Sequence, residues 1–79
     1  MKWALRLSAQ AVHNLYELDR ALVRNVWATL HALAEEPNNP YLQVDEDDSS
    51  LYWLAVEGDI TVWVEIVDEQ HAIRVVKIS

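Results

Sequence analysis

The chain has 79 residues, and its six basic and thirteen acidic side chains give a formal charge of −7. Such a surface repels phosphate backbones, because non-specific nucleic-acid affinity comes mainly from lysine and arginine. Cysteine is absent, which excludes a disulfide frame, a thiolate nucleophile and a cysteine-based zinc site, and fits a cytoplasmic protein.

No apolar run is long enough to span a bilayer, and residues 1–8 lack the layout of a signal peptide. A chain this short makes one domain, over 1–79, with a core near the lower limit for independent folding. Four tryptophans and three tyrosines help, since aromatic rings bury much apolar area per residue.

Trp3, Leu5 and Leu7 alternate with Lys2, Ala4 and Arg6, the period of a first strand. Ser8 then suits an N-cap, and a short helix follows with Val12, Leu15, Tyr16 and Leu18 as its apolar side. Asp19 is placed to cap a second helix from Arg20 to about Glu35, in which Leu22, Val26, Leu30 and Leu33 recur at helical spacing. One unbroken helix through Asp19 would reach about 40 Å at about 1.5 Å per residue, longer than the sheet it must cover, so a helical hairpin is expected.

Pro37-Asn38-Asn39-Pro40 ends the second helix. The connector YLQVDEDDSS is polar and acidic, and Tyr41-Leu42-Gln43-Val44 within it has the makings of a short edge strand. Residues 51–79, LYWLAVEGDITVWVEIVDEQHAIRVVKIS, then hold three runs rich in valine, isoleucine and aromatics. Turn material at Glu57-Gly58-Asp59 and at Asp68-Glu69-Gln70-His71 separates them. Spacing this short means hairpins, hence an antiparallel three-strand meander. Ile60, Val62, Val64 and Ile66 form its buried side against Thr61, Trp63 and Glu65. The expected class is α+β, in the order β-α-α-β-β-β, with the helices on one face of the sheet.

An opening strand, a helical hairpin ending in AEEPNNP, and the three-strand tail just quoted together resemble the RelE/ParE toxin superfamily. In that family a helix ending L-x-E-N-P leads through a loop to Y-R-L-R-V-G-D-Y-R-V-I-Y-x-I and V-x-V-L-x-I. The likeness covers essentially the whole chain and rests on order and spacing, because no single motif is sharp. It implies a bacterial toxin–antitoxin protein. RelE-type members cut mRNA in the ribosome, ParE-type members inhibit DNA gyrase, and an antitoxin wraps either kind.

RelE-type cleavage relies on cations along the exposed sheet face, which stabilise charge building on the phosphorane. Carried across by position, the family's basic residues fall on Trp53, Ala55 and Thr61, and its lysine-rich loop falls on Asp45, Glu46, Asp47 and Asp48. A G-H-R or G-K-R segment and a tyrosine would follow Ile78, beyond the last residue, Ser79. The expectation is therefore a RelE/ParE-like protein without a ribonuclease site, with no catalytic residue, metal or cofactor of its own. It would act by binding an antitoxin-like partner or a second copy of itself, and net charge disfavours nucleic acid. The rival is an active toxin, either a ribosome-dependent mRNA endonuclease or a gyrase inhibitor.

Three constellations bear on a site. His13 with Glu17, and His31 with Glu35, stand at i, i+4, as metal ligands on a helix would, although solvent-facing pairs share that spacing. The run from Asp45 to Asp48 lacks the glycine and spaced oxygens of a calcium loop and reads as a solvated loop. Trp63 alternates onto the side away from the helices. With Tyr52, Trp53 and Thr61 it is the candidate binding surface, and an indole there is expected to be covered by a second chain.

Overall fold

The structure, a computed structural model, describes residues 2–79. Strand β1 (Ala4–Leu7) is followed by helices α1 (Ala9–Tyr16) and α2 (Arg20–Glu35), then by strands β2 (Gln43–Val44), β3 (Tyr52–Val56), β4 (Ile60–Val67) and β5 (Ala72–Ile78). A single 3₁₀ turn, Asp68–Gln70, joins the last two. The expected meander is present, with β3 antiparallel to β4 and β4 antiparallel to β5. The sheet is nevertheless larger and mixed. Its order is β1-β5-β4-β3-β2, with β1 parallel to β5 and the two-residue β2 antiparallel to β3.

Both helices lie on one face. Val26, Leu30 and Leu33 of α2 and Ala11 of α1 are fully buried against Val62 and Val64 of β4, Ile73 and Val75 of β5, and Leu54 of β3. The helical break falls where expected, with Asp19 at the N-cap position of α2, although its side chain makes no capping bond.

The apolar side assigned to α1 is corrected in part. Leu15 and Leu18 pack against the core as expected, but the fully buried residue is Ala11, and Val12 is 40% and Tyr16 85% exposed. An eight-residue helix presents only two turns, and this one docks through Ala11, Leu15 and a polar residue: the Ile78 N–H donates to Asn14 Oδ1 at 3.0 Å.

Ser8 links three elements. Its Oγ accepts from the Ala11 N–H at 3.1 Å, capping α1, and donates to the Val76 carbonyl at 2.6 Å. Its own N–H donates to the Val75 carbonyl at 2.9 Å. Val76 is the extra residue of a bulge: Trp63 pairs with Lys77 and Val64 with Val75, so Val76 has no partner on β4. Ser8→Ala should remove both the cap and the hydroxyl that satisfies a part-buried carbonyl, about 2 kcal/mol together. Ser8→Thr should recover most of the loss, as read from urea-denaturation midpoints.

Candidate functional site

The bulge decides what the uncovered face displays. In a regular strand, residues three apart face opposite ways. In β5 the extra residue brings Arg74 and Lys77 to the same side, while Val75 and Ile78 stay buried. Arg74 is opposite Glu65, and its Nη1 lies 3.1 Å from Glu65 Oε1. Lys77 is opposite Trp63, with Nζ 4.4 Å from the ring centroid, a cation–π contact. Across the other edge of β4, Trp63 pairs with Trp53, and Thr61 with Ala55. Arg6 of β1 sits beside Arg74, and its Nη1 donates to Gln70 Oε1 at 3.2 Å.

The structure thus brings Trp53, Thr61 and Trp63 together on the open face. Trp53 and Trp63 are half-buried among their neighbours in the absence of any second chain. Tyr52 does not join them. It pairs with Val64 on the helix side, packs against the core, and lines a recess of about 390 Å³ with Pro37, Leu42 and Ile66. Consecutive residues of a strand face opposite ways, so Tyr52 and Trp53 cannot share a surface. From the sequence Arg6, Arg74 and Lys77 are legible only as strand cations, and what it does not give is the open face they share. Two of them are brought into line by a bulge, for which the sequence carries no clear mark.

A second surface lies on the other side of the molecule. Val12, Leu15 and Tyr16 of α1 face Val23 and Trp27 of α2 across an open groove of about 790 Å³, and Leu7 and Leu18 also line it. Arg20 adds one charge to an otherwise apolar lining. The sequence signal for this groove was present: Val23 and Trp27 stand at i, i+4 on α2, displaced from the Val26-Leu30-Leu33 stripe.

The remaining candidates resolve into local contacts. His13 Nε2 lies 3.3 Å from Glu17 Oε1 with both side chains exposed. His31 sits beside Trp27 at 5.8 Å, and exposed His71 stacks on Trp3 at 5.2 Å. In the acidic loop, Asp45 Oδ2 accepts from the Asp47 N–H, and Asp48 Oδ1 accepts from both the hydroxyl and the N–H of Ser50. The Ser50 hydroxyl, then its N–H, holds the Asp48 carboxyl below its ordinary value. That turn is accordingly strengthened above the ordinary carboxylate range and loses this support as pH falls on through the lowered value of Asp48.

No protein-family model matches the sequence, and no curated protein matches it. Solved structures do. The chain is similar to a protein of the Mycobacterium tuberculosis RelBE2 toxin–antitoxin complex at 15% identity and a TM-score of 0.88, over 100% of this chain and 91% of that one. It is similar to the isolated E. coli RelE toxin at 13% identity and a TM-score of 0.83, over 98% and 82%. It is also similar to a protein of the archaeal RelE–RelB complex of Pyrococcus horikoshii at 21% identity and a TM-score of 0.77, over 100% and 94%. The fold is that of RelE toxins.

Proposed function

We propose that this RelE-fold chain is a toxin–antitoxin-type protein that works by binding an antitoxin-like partner and does not cleave RNA. The observation that carries the binding reading is the apolar groove between α1 and α2. Tyr16 and Val12 lie open to water there, and exposed apolar surface gathered in one groove marks a protein-binding site. A helix-lined trough suits an amphipathic helix whose apolar residues repeat every three to four positions. The solved structures of this fold include complexes of a toxin with its antitoxin. The absence of cleavage is inferred from Trp53, Ala55 and Thr61, which stand on β3 and β4 where the family resemblance calls for cations.

One observation favours the rival, an active toxin: Arg6, Arg74 and Lys77 share that same face. Primer extension on mRNA from translating ribosomes separates the two readings. With the chain below the ribosome concentration, we expect no codon-specific cuts; cuts that disappear in Lys77→Ala would establish the endonuclease instead. For the binding reading, the chain should form a stoichiometric complex with the product of a small adjacent gene encoding a DNA-binding antitoxin. Val23→Asp should weaken that complex at least about tenfold, because it places a charge in the apolar floor. Absence of a complex between the two purified proteins rejects the reading.

A further inference from the structure

We propose that two copies of this chain associate through their open sheet faces, related by a two-fold axis running along β4. This goes beyond the partner reading above and concerns the opposite side of the molecule.

The pattern on the face is self-complementary in the way such an axis requires. β4 is the third of five strands, so a two-fold axis along it lays β5 of one copy over β3 of the other, and β1 over β2. An isologous interface needs the contact from i to j to return as j to i. Two rows of the sheet meet that condition. In the first, Lys77, Trp63, Trp53 and Gln43 lie side by side across β5, β4, β3 and β2. The axis sets Trp63 against its own copy at the centre and carries Lys77 to the indole of Trp53 on the other chain.

The second row runs from Arg6 through Arg74 to Glu65, by the register of β1, β5 and β4. On its far side the Asp45 N–H donates to the Leu51 carbonyl at 2.8 Å, which extends the β2–β3 register by one step and places Asp45 at the outer end of that row. The axis therefore sets Arg6 of each copy over Asp45 of the other, with Glu46, Asp47 and Asp48 just beyond. At the centre it sets Glu65 against its own copy, each carboxylate paired with Arg74 of its own chain at 3.1 Å.

The charges also have room for such partners. Arg6 contacts the neutral Gln70, and Lys77 rests on an indole; neither meets a carboxylate among the described residues. A formal charge of −7 on each copy opposes association. Salt at physiological strength, however, screens exposed charges more than about 8 Å apart, whereas the pairs named here would be in contact.

Strands spaced about 4.8 Å apart, with about 3.3 Å per residue and only four residues in β1 and two in β2, give a face on the order of 400 Å². That is below the roughly 800 Å² per partner of a stable complex. The dimer is therefore weak, with a dissociation constant in the micromolar range or above.

Sedimentation equilibrium on the purified chain, from low micromolar to high micromolar concentration, tests this. We expect a monomer–dimer equilibrium. The variants R6E and D45R each turn two attractive contacts repulsive and should weaken self-association at least about tenfold. Mixed one to one, they should form a heterodimer at least as tight as the parent pair, because both contacts are attractive again. Thermal melts of the two variants near that of the parent show that each is folded: Arg6 is exposed, and Asp45 is half-buried in a loop, where it accepts from the Asp47 N–H.

A chain that stays monomeric throughout, a dimer indifferent to both variants, or a mixture no tighter than its components overturns the proposal. So does a monomer that instead binds single-stranded oligouridylate with steep salt dependence. The groove variant V23D should leave the equilibrium unchanged, so failure here and failure of partner binding are read separately.

Discussion

Leu30→Ala should leave much of the population unfolded at physiological temperature. Leu30 is fully buried, midway along α2, in a core that draws on both helices and three strands. Truncation removes the transfer free energy of the lost carbons and leaves a cavity that neighbouring strands cannot close, about 2–5 kcal/mol. A chain of this length has only about 4–12 kcal/mol in total. With roughly 4–8 °C of melting temperature per kcal/mol for domains of this size, the midpoint should fall by at least about 8 °C in calorimetry or far-ultraviolet circular dichroism. A shift of only a few degrees would mean that α2 does not present this face to the sheet.

Gly58→Val should be the next most damaging change, although Gly58 is exposed and in a turn. It sits at φ 99°, followed by Asp59 at φ 60°, in the three-residue loop between Val56 and Ile60. A β-branched residue is a genuine outlier at positive φ. Strain of that sort costs about 1–3 kcal/mol. A Cβ at this position would also stand 2.5 Å from Leu22 Cδ2, so the α2 side chain has to rotate away. The Asn25 amide reaches the Glu57 carbonyl at 3.4 Å, so movement of the loop is felt by the helix. The unfolding midpoint in urea should fall with an unchanged slope. An unaltered midpoint would show that the turn can relax to another geometry without loss.

The architecture was readable where the physics is local. Alternation from Ile60 to Ile66 marked β4 and its buried side, Ser8 marked the first helix start, and Asp19 marked the break between helices. What escaped was non-local or small in signal. Nothing within residues 2–7 says that their partner is the last strand, because pairing across that sequence distance depends on how the whole chain closes. Ala11 carries little hydrophobic weight beside Val12 and Tyr16, yet only a small side chain lets α1 come close to the sheet.

For the candidate site the same division holds. The opposite facing of neighbours was enough to separate Tyr52 from Trp53. The bulge that aligns Arg74 with Lys77 was not visible, because the groups that bond the backbone there, the Ser8 hydroxyl and the Asn14 side-chain oxygen, lie 68 and 64 residues from their partners.

The parallel pairing of β1 with β5 sets an order of events. β5 is the last strand in the chain but the second in the sheet, with β1 on one side and β4 on the other. While the chain is being made, β1 emerges first and has no neighbour to bond until Ala72 and the residues after it arrive. The helices, meanwhile, have only part of a sheet to cover. Closing a loop this long costs entropy before any contact repays it, so the transition state should include β5 already seated on β4. Substitutions in β5 should then slow folding, whereas those in β1 should mainly speed unfolding. A nascent chain stalled before β5 should expose the apolar faces of both helices, in the state most open to chaperones and proteases.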